Sequence, residues 1–139
     1  MSNHEAITHL SRDEAFARMA TESLGRIVVR RKDDMDIFPV NYVVDGETVY
    51  FRTAEGNKLF TVALNHDVLF EVDHVEGDAA WSVVIKGTAE VVKDAARIHH
   101  ADSLGLKPWV PTLKYNFVAI TPNEVSGRAF ALGEEPERY

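Results

Sequence analysis

The period of the hydrophobic positions changes several times along the chain, and each change marks an element. From Ser11 onward Phe16, Met19, Ala20 and Leu24 recur at helical spacing, and Ser11 with Glu14 has the spacing of a capping box. Gly25 is expected to stop that helix, because the next residues, Arg26-Ile27-Val28-Val29-Arg30, form a β-branched strand. Lys32-Asp33-Asp34 reads as a polar turn, residues 36–44 as a second strand, and Asp45-Gly46 as the hairpin turn before a third strand over 48–53. In that third strand Val49, Phe51 and Thr53 alternate with Tyr50 and Arg52, which predicts one buried and one mixed face.

Asn57 is a suitable N-cap for a short helix over 58–64. Two strands, 68–75 and 81–92, follow on either side of Glu76-Gly77-Asp78, and Gly87 marks a bulge or barrel corner in the second. A helix over 94–103, an irregular stretch with Pro108 and Pro111, a strand over 115–120 and a candidate last strand over 125–132 complete the pattern. Residues 1–9 and 133–139 read as loose tails. Six or so hairpin-linked strands with few, peripheral helices predict a mainly β chain, an antiparallel barrel forming one domain over residues 1–139.

Composition narrows the function. With 45% hydrophobic and 27% charged residues, the chain has globular proportions. Its 15 Lys+Arg against 22 Asp+Glu leave a net charge of −7, which repels phosphate backbones and anionic lipid, so neither nucleic acid nor membrane is an expected partner. The absence of cysteine removes disulfides, thiolate metal sites and a Cys nucleophile, and with no leader-like apolar run it favours the cytoplasm. His99 and His100 are adjacent on a helix and point to different faces, so they do not form a bidentate pair, and no metal is expected.

Three segments carry candidate chemistry. Arg52-Thr53-Ala54-Glu55-Gly56-Asn57-Lys58-Leu59 ends a strand at a hydroxyl and begins a helix with a lysine, an arrangement that can hold phosphate on Thr53, Lys58 and the helix N-terminus. Arg52 adds a cation if its face agrees; the same spacing also suits a plain strand–turn–helix junction. Phe38-Pro39-Val40-Asn41-Tyr42 places proline in a strand, which belongs at an edge or bulge and leaves backbone groups and Asn41 to meet a flat polar ligand, or simply protects an edge. Trp81-Ser82-Val83 and Trp109 combine aromatic surface with hydrogen-bonding capacity, or are core and interface bulk.

Together with Leu24-Gly25-Arg26, Phe70-Glu71-Val72-Asp73, Ile85-Lys86-Gly87 and Val125-Ser126-Gly127-Arg128, these segments resemble the pyridoxamine 5′-phosphate oxidase-like family of FMN-binding split β-barrels, over about residues 10–128. The resemblance is nearest to its short, uncharacterised branch. It implies an FMN-dependent oxidoreductase acting on a small molecule. Thr53, Lys58 and Leu59 would lie at the phosphate end, and Pro39, Val40, Asn41 and Tyr42 along the isoalloxazine ring. Ser82 and Val83 would meet the ring or ribityl chain. It also implies a homodimer with flavin at the subunit interface, reached by Trp109 and Arg128, with the Trp81 strand contributing apolar surface there. Two departures separate the chain from the longer true oxidases. Only Lys58 stands where they carry an Arg-Lys pair, and Arg128-Ala129-Phe130-Ala131 replaces their Arg-Leu-Ala-Pro. An 8-hydroxy-5-deazaflavin on the same fold is the alternative cofactor. A non-enzymatic flavin or haem module is a third reading, with His66, His74, His99 and His100 as its possible axial ligands.

Overall fold

The structure, a computed structural model, describes residues 6–54, 66–107 and 115–136. Its elements are β1 (Ile7–Leu10), α1 (Arg12–Met19), β2 (Leu24–Arg31), β3 (Asp34–Asp45), β4 (Thr48–Ala54), β5 (His66–Glu76), β6 (Ala79–Val91), α2 (Ala95–Asp102) and β7 (Tyr115–Ala131). Six strands form a ring in the order β7-β4-β3-β2-β5-β6, closed by β6 pairing with β7, and every pair is antiparallel. The predicted barrel is therefore the observed architecture, although an irregular one: β3 and β4 pair only from Tyr42↔Phe51 to Asp45↔Thr48 and then part.

Local chemistry accounts for the hairpins and caps. Gly46 and Gly77 take φ of 61° at the β3–β4 and β5–β6 turns, a left-handed conformation that costs glycine little. Ser11 accepts from the Glu14 amide while Glu14 accepts from the Ser11 amide, completing the capping box of α1, and Asp94 caps α2 through the Arg97 amide. Alternation along the strands then sorts side chains into two layers. Ile27, Phe51, Phe70, Val72, Val83 and Ile85 fill the barrel, where α1 adds Ala15, Phe16 and Met19. Tyr50, Phe117 and Ala119 point outward from β4 and β7 and pack with Ala101 of α2.

Several expectations are corrected. Gly25 does not end α1; the helix is capped at Ala20, and Gly25 lies inside β2, where an added Cβ would sit 2.5 Å from Phe70 Cζ. Ala20 is exposed and Leu24 opens β2, so the helical stripe is shorter than the spacing suggested. The supposed N-terminal tail contributes β1, which adds to β7 with Ile7 opposite Phe130. The two strands expected over 115–132 are one 17-residue strand, β7. The β6–β7 register shifts between Lys86 and Gly87 of β6, where Pro122 faces Gly87, so the residue without an N–H sits where the ladder is already irregular. At the C-terminal end, the Leu132 amide donates to the Asp78 carbonyl at 2.7 Å. The expected helix over 58–64 lies outside the described residues.

Candidate functional site

The parting of β3 and β4 defines a candidate site. Residues 34–41 of β3 pair with β2, but among the described residues no strand covers their other edge. Pro39 sits in that stretch opposite Arg26, as expected for proline at an edge. Across the split, β4 runs on to Ala54 and pairs only with β7, Thr53 facing Asn116 and Arg52 facing Phe117.

Thr53 belongs to the inner layer with Phe51 and is 5% exposed. Its Oγ1 is buried and has no hydrogen-bond partner among the described residues. Leaving a buried hydroxyl unsatisfied costs about 1–3 kcal/mol, so such an atom, close to the parting of β3 and β4, is a candidate donor to a ligand. Asn116, directly opposite on β7, makes this corner of the inner layer polar; sequence reasoning missed it, although an Asn before the apolar run Phe117 to Ile120 is a detectable signal. Arg52 projects from the opposite face. Its Cζ lies 3.5 Å over the Tyr115 ring, and its Nε is buried without a partner among the described residues. The two adjacent polar residues therefore do not serve the same side of the strand.

The Pro39–Tyr42 stretch is only partly as expected. Val40 and Tyr42 turn their side chains into the core, and the Tyr42 hydroxyl donates to the Met19 carbonyl oxygen at 2.5 Å. Burial, with the Glu22 charge behind it, pushes that phenol far above its ordinary range, so it stays a donor. Asn41 is not free: its Nδ2 donates to the Ser23 carbonyl at 3.3 Å. It does line a cavity of about 450 Å³ with Leu106 and Lys107, a volume within the range of small-molecule sites.

Val83 is fully buried in the barrel, which removes its side chain from any surface groove in the single chain. Trp81 is likewise in the inner layer, tilted against His74 at 6.5 Å between ring centroids, and not on an apolar outer face. Ser82 and Arg128 face each other across β6 and β7 on the outer face. Lys58, Leu59 and Trp109 lie outside the described residues. His100 Nε2 is 2.6 Å from Asp45 Oδ2 and His74 Nδ1 is 3.4 Å from Glu22 Oε1, so two of the histidines already meet carboxylates. Among the described residues no cluster of three His, Asp or Glu has metal-binding geometry, and no helix is long and apolar enough to cross a membrane.

The outer face also carries a charge group that composition did not single out. Arg26 Nη1 lies 2.7 Å from Glu71 Oε1 and 3.7 Å from Asp73 Oδ2. Burial, then the hydrogen bond and charge of Asp73, push the Glu71 carboxyl up to about 7, against the opposing pull of Arg26. A carboxyl raised above its unfolded value contributes stability in full below that unfolded value and loses it as pH rises through the folded one. The melting temperature should therefore fall between pH 5 and 8 more steeply in the wild type than in Glu71→Gln, whose neutral amide does not titrate. Parallel melting curves across that range would show that Glu71 titrates normally.

Comparison with known proteins agrees with this architecture. A candidate pyridoxamine 5′-phosphate oxidase from Corynebacterium glutamicum is 57% identical, superposes with a TM-score of 0.90, and matches 96% of this chain and all of its own. An FAD binding protein from Mycobacterium smegmatis is 41% identical with a TM-score of 0.83, over 91% of this chain and all of its own. An uncharacterised Mycobacterium tuberculosis protein is 43% identical over 96 residues, 69% of this chain and 87% of that one. The family model for pyridoxamine 5′-phosphate oxidase matches residues 11–129, from the cap of α1 nearly to the end of β7, so the chain belongs to the pyridoxamine 5′-phosphate oxidase family.

Proposed function

We propose that the chain is a single-domain flavoprotein that holds a flavin nucleotide at the split between β3 and β4 and uses it in the redox chemistry of a small molecule. The observation that carries this reading is the buried, unpartnered Thr53 hydroxyl at the end of β4, beside an uncovered edge of β3. The M. smegmatis relative, an FAD binding protein, supports the cofactor class. Thr53 would donate to the phosphate nearest the ribityl chain, with Lys58 and Leu59 beyond it. The open edge of β3 at Pro39 would offer backbone groups to the polar rim of the ring system, and the cavity beside Asn41 would provide room. The flavin, when bound, supplies the electron transfer; the protein orients it and excludes water.

The single chain leaves much of such a ligand uncovered, which is the argument for a homodimer with the flavin at its interface, Arg128 and Trp109 reaching across. Met35 and Ile37, 55% and 62% exposed beside Pro39, supply apolar surface on the open side that Trp81 does not. A reducing cytoplasm suits the cysteine-free chain.

The test is a calorimetric titration with FMN, riboflavin and an 8-hydroxy-5-deazaflavin, run beside sedimentation of the same samples. FMN should bind at micromolar concentration or tighter to a particle of twice the chain mass. Thr53→Val should weaken FMN about tenfold while changing riboflavin little, because only FMN has the phosphate. The same variant should be more stable than the wild type without ligand, since a methyl replaces an unsatisfied hydroxyl. Absence of binding by all three ligands and by FAD would overturn the flavin reading.

A further inference from the structure

The inward positions of β5 run Val68, Phe70 and Val72 and then, by alternation, His74 and Glu76. Trp81, paired with His74 across the β5–β6 ladder, shares that inner face. This end of the barrel is therefore finished with polar groups instead of being closed by apolar ones. A cleft of about 590 Å³ opens there between α1 and the β5–β6 hairpin, lined in part by Glu14, Arg18, Glu22, His74, Glu76 and Trp81. Its volume suits a small molecule, and barrel mouths are a usual place for one.

Two groups in the cleft lack the partners their burial calls for. The Glu22 side chain is 28% exposed, yet among the described residues its carboxylate has only long contacts, 3.4 Å to His74 Nδ1 and 3.4 Å to Thr21 Oγ1. Carboxylates elsewhere hold cations tightly: Glu47, Glu71 and Glu90 grip arginines at 2.8, 2.7 and 2.6 Å. Trp81 is 8% exposed, and among the described residues its indole N–H makes no hydrogen bond. The side-chain atoms there that are both sealed and unpartnered belong to Arg52 and Thr53, so the indole N–H opens into the cleft that its ring lines. A loosely held carboxylate calls for a cation, and an unpaired N–H calls for an acceptor oxygen. Three carboxylates against the one guanidinium of Arg18 disfavour an anion, and no metal-binding cluster occurs among the described residues. An organic cation is left.

We propose that this barrel mouth binds a small amine bearing a hydroxyl group, its ammonium on Glu22 and its hydroxyl oxygen accepting from the Trp81 indole N–H. The site stands apart from the flavin reading above. No bond is made or broken; the claim concerns recognition alone.

Calorimetry of the full chain with phenylethanolamine, phenethylamine and phenylethanol provides the test, on the wild type, Glu22→Gln, Glu76→Gln and Trp81→Phe. Melting of the ligand-free proteins is the control for folding. The wild type should bind phenylethanolamine about tenfold more tightly than phenylethanol, which lacks the ammonium, as a charge-assisted hydrogen bond requires. Glu22→Gln should remove that advantage. Glu76→Gln alters a carboxylate that is 88% exposed and should leave the affinity within about twofold. Phenethylamine, which lacks the hydroxyl, should bind the wild type about fivefold more weakly than phenylethanolamine. The two amines should bind Trp81→Phe equally, because that variant keeps a ring and loses the N–H. If Trp81→Phe melts too low to titrate, the ligand series on the wild type decides the indole contact by itself. Wild-type protein that binds none of the three, or phenylethanol as tightly as phenylethanolamine, would overturn the site, as would a Glu22→Gln variant of unchanged affinity. Equal binding of the two amines by the wild type would overturn the role of the indole.

Discussion

Phe70→Ala is expected to lower the unfolding free energy by about 3–5 kcal/mol, the usual cost of deleting a buried aromatic ring. Phe70 is fully buried at the centre of the inner layer, edge-on to Tyr42 with ring centroids 5.2 Å apart and planes at 79°. Its ring also occupies the space a side chain at position 25 would need, since a Cβ there would lie 2.5 Å from Phe70 Cζ. Loss of the ring therefore opens a cavity that neighbouring strands, held by ladders on both edges, cannot close. Against a total stability of about 5–15 kcal/mol for an ordinary domain, this is a severe change. Urea unfolding should show a lower midpoint at unchanged slope. Gly25→Ala should cost less in the Phe70→Ala background than in the wild type, because the clash is gone. Additive effects of the two substitutions would contradict this packing account.

Gly87→Ala should cost about 3 kcal/mol, the upper end of overpacking effects, for a different reason. The added Cβ would lie 2.5 Å from the Thr121 carbonyl oxygen, a backbone atom that no rotamer change can move aside. The site is the irregularity where β6 and β7 exchange register opposite Pro122, and this pairing closes the ring. Displacing Thr121 must therefore disturb closure as well as local packing. Unfolding midpoints should fall, and amide exchange should quicken in β6 and β7 before it does in β2 and β3. A variant with wild-type midpoint and exchange would mean that the bulge absorbs the methyl group without strain.

The two features on which the candidate site is argued are legible in residue order. The hydroxyl at 53 and the proline at 39 are local signals with local physical reasons: a polar residue on an apolar face, and a missing N–H in a strand. The side-chain surroundings of Asn41 and Val83 were not legible, because they are remote in sequence. Asn41 is tied by the Ser23 carbonyl, 18 positions earlier, and Val83 is covered by strands from the whole ring. Tyr115 and Glu71 were missed for the same reason. Tyr115 acquires its chemistry from Arg52 on another strand, and Glu71 from burial and the neighbouring Asp73, with Arg26 of β2 opposing them.

What the amino-acid order determined by itself was everything that depends on near neighbours. It determined the alternation that makes strands, the glycines that turn them at 46 and 77, the caps at Ser11 and Asp94, and the opposite faces of Arg52 and Thr53. These follow from backbone sterics and hydrogen bonds within a few residues. Only the tertiary structure decided that Thr121-Pro122-Asn123 continues a strand, that residues 7–10 add to the ring, and that Trp81 turns inward. Pro122 is tolerated because the ladder opposite it is irregular, and β1 exists because β7 presents an edge for it. The split followed the same rule: β3 and β4 part where β4 goes on pairing with β7 alone, and that parting places one polar residue on each side of the strand end.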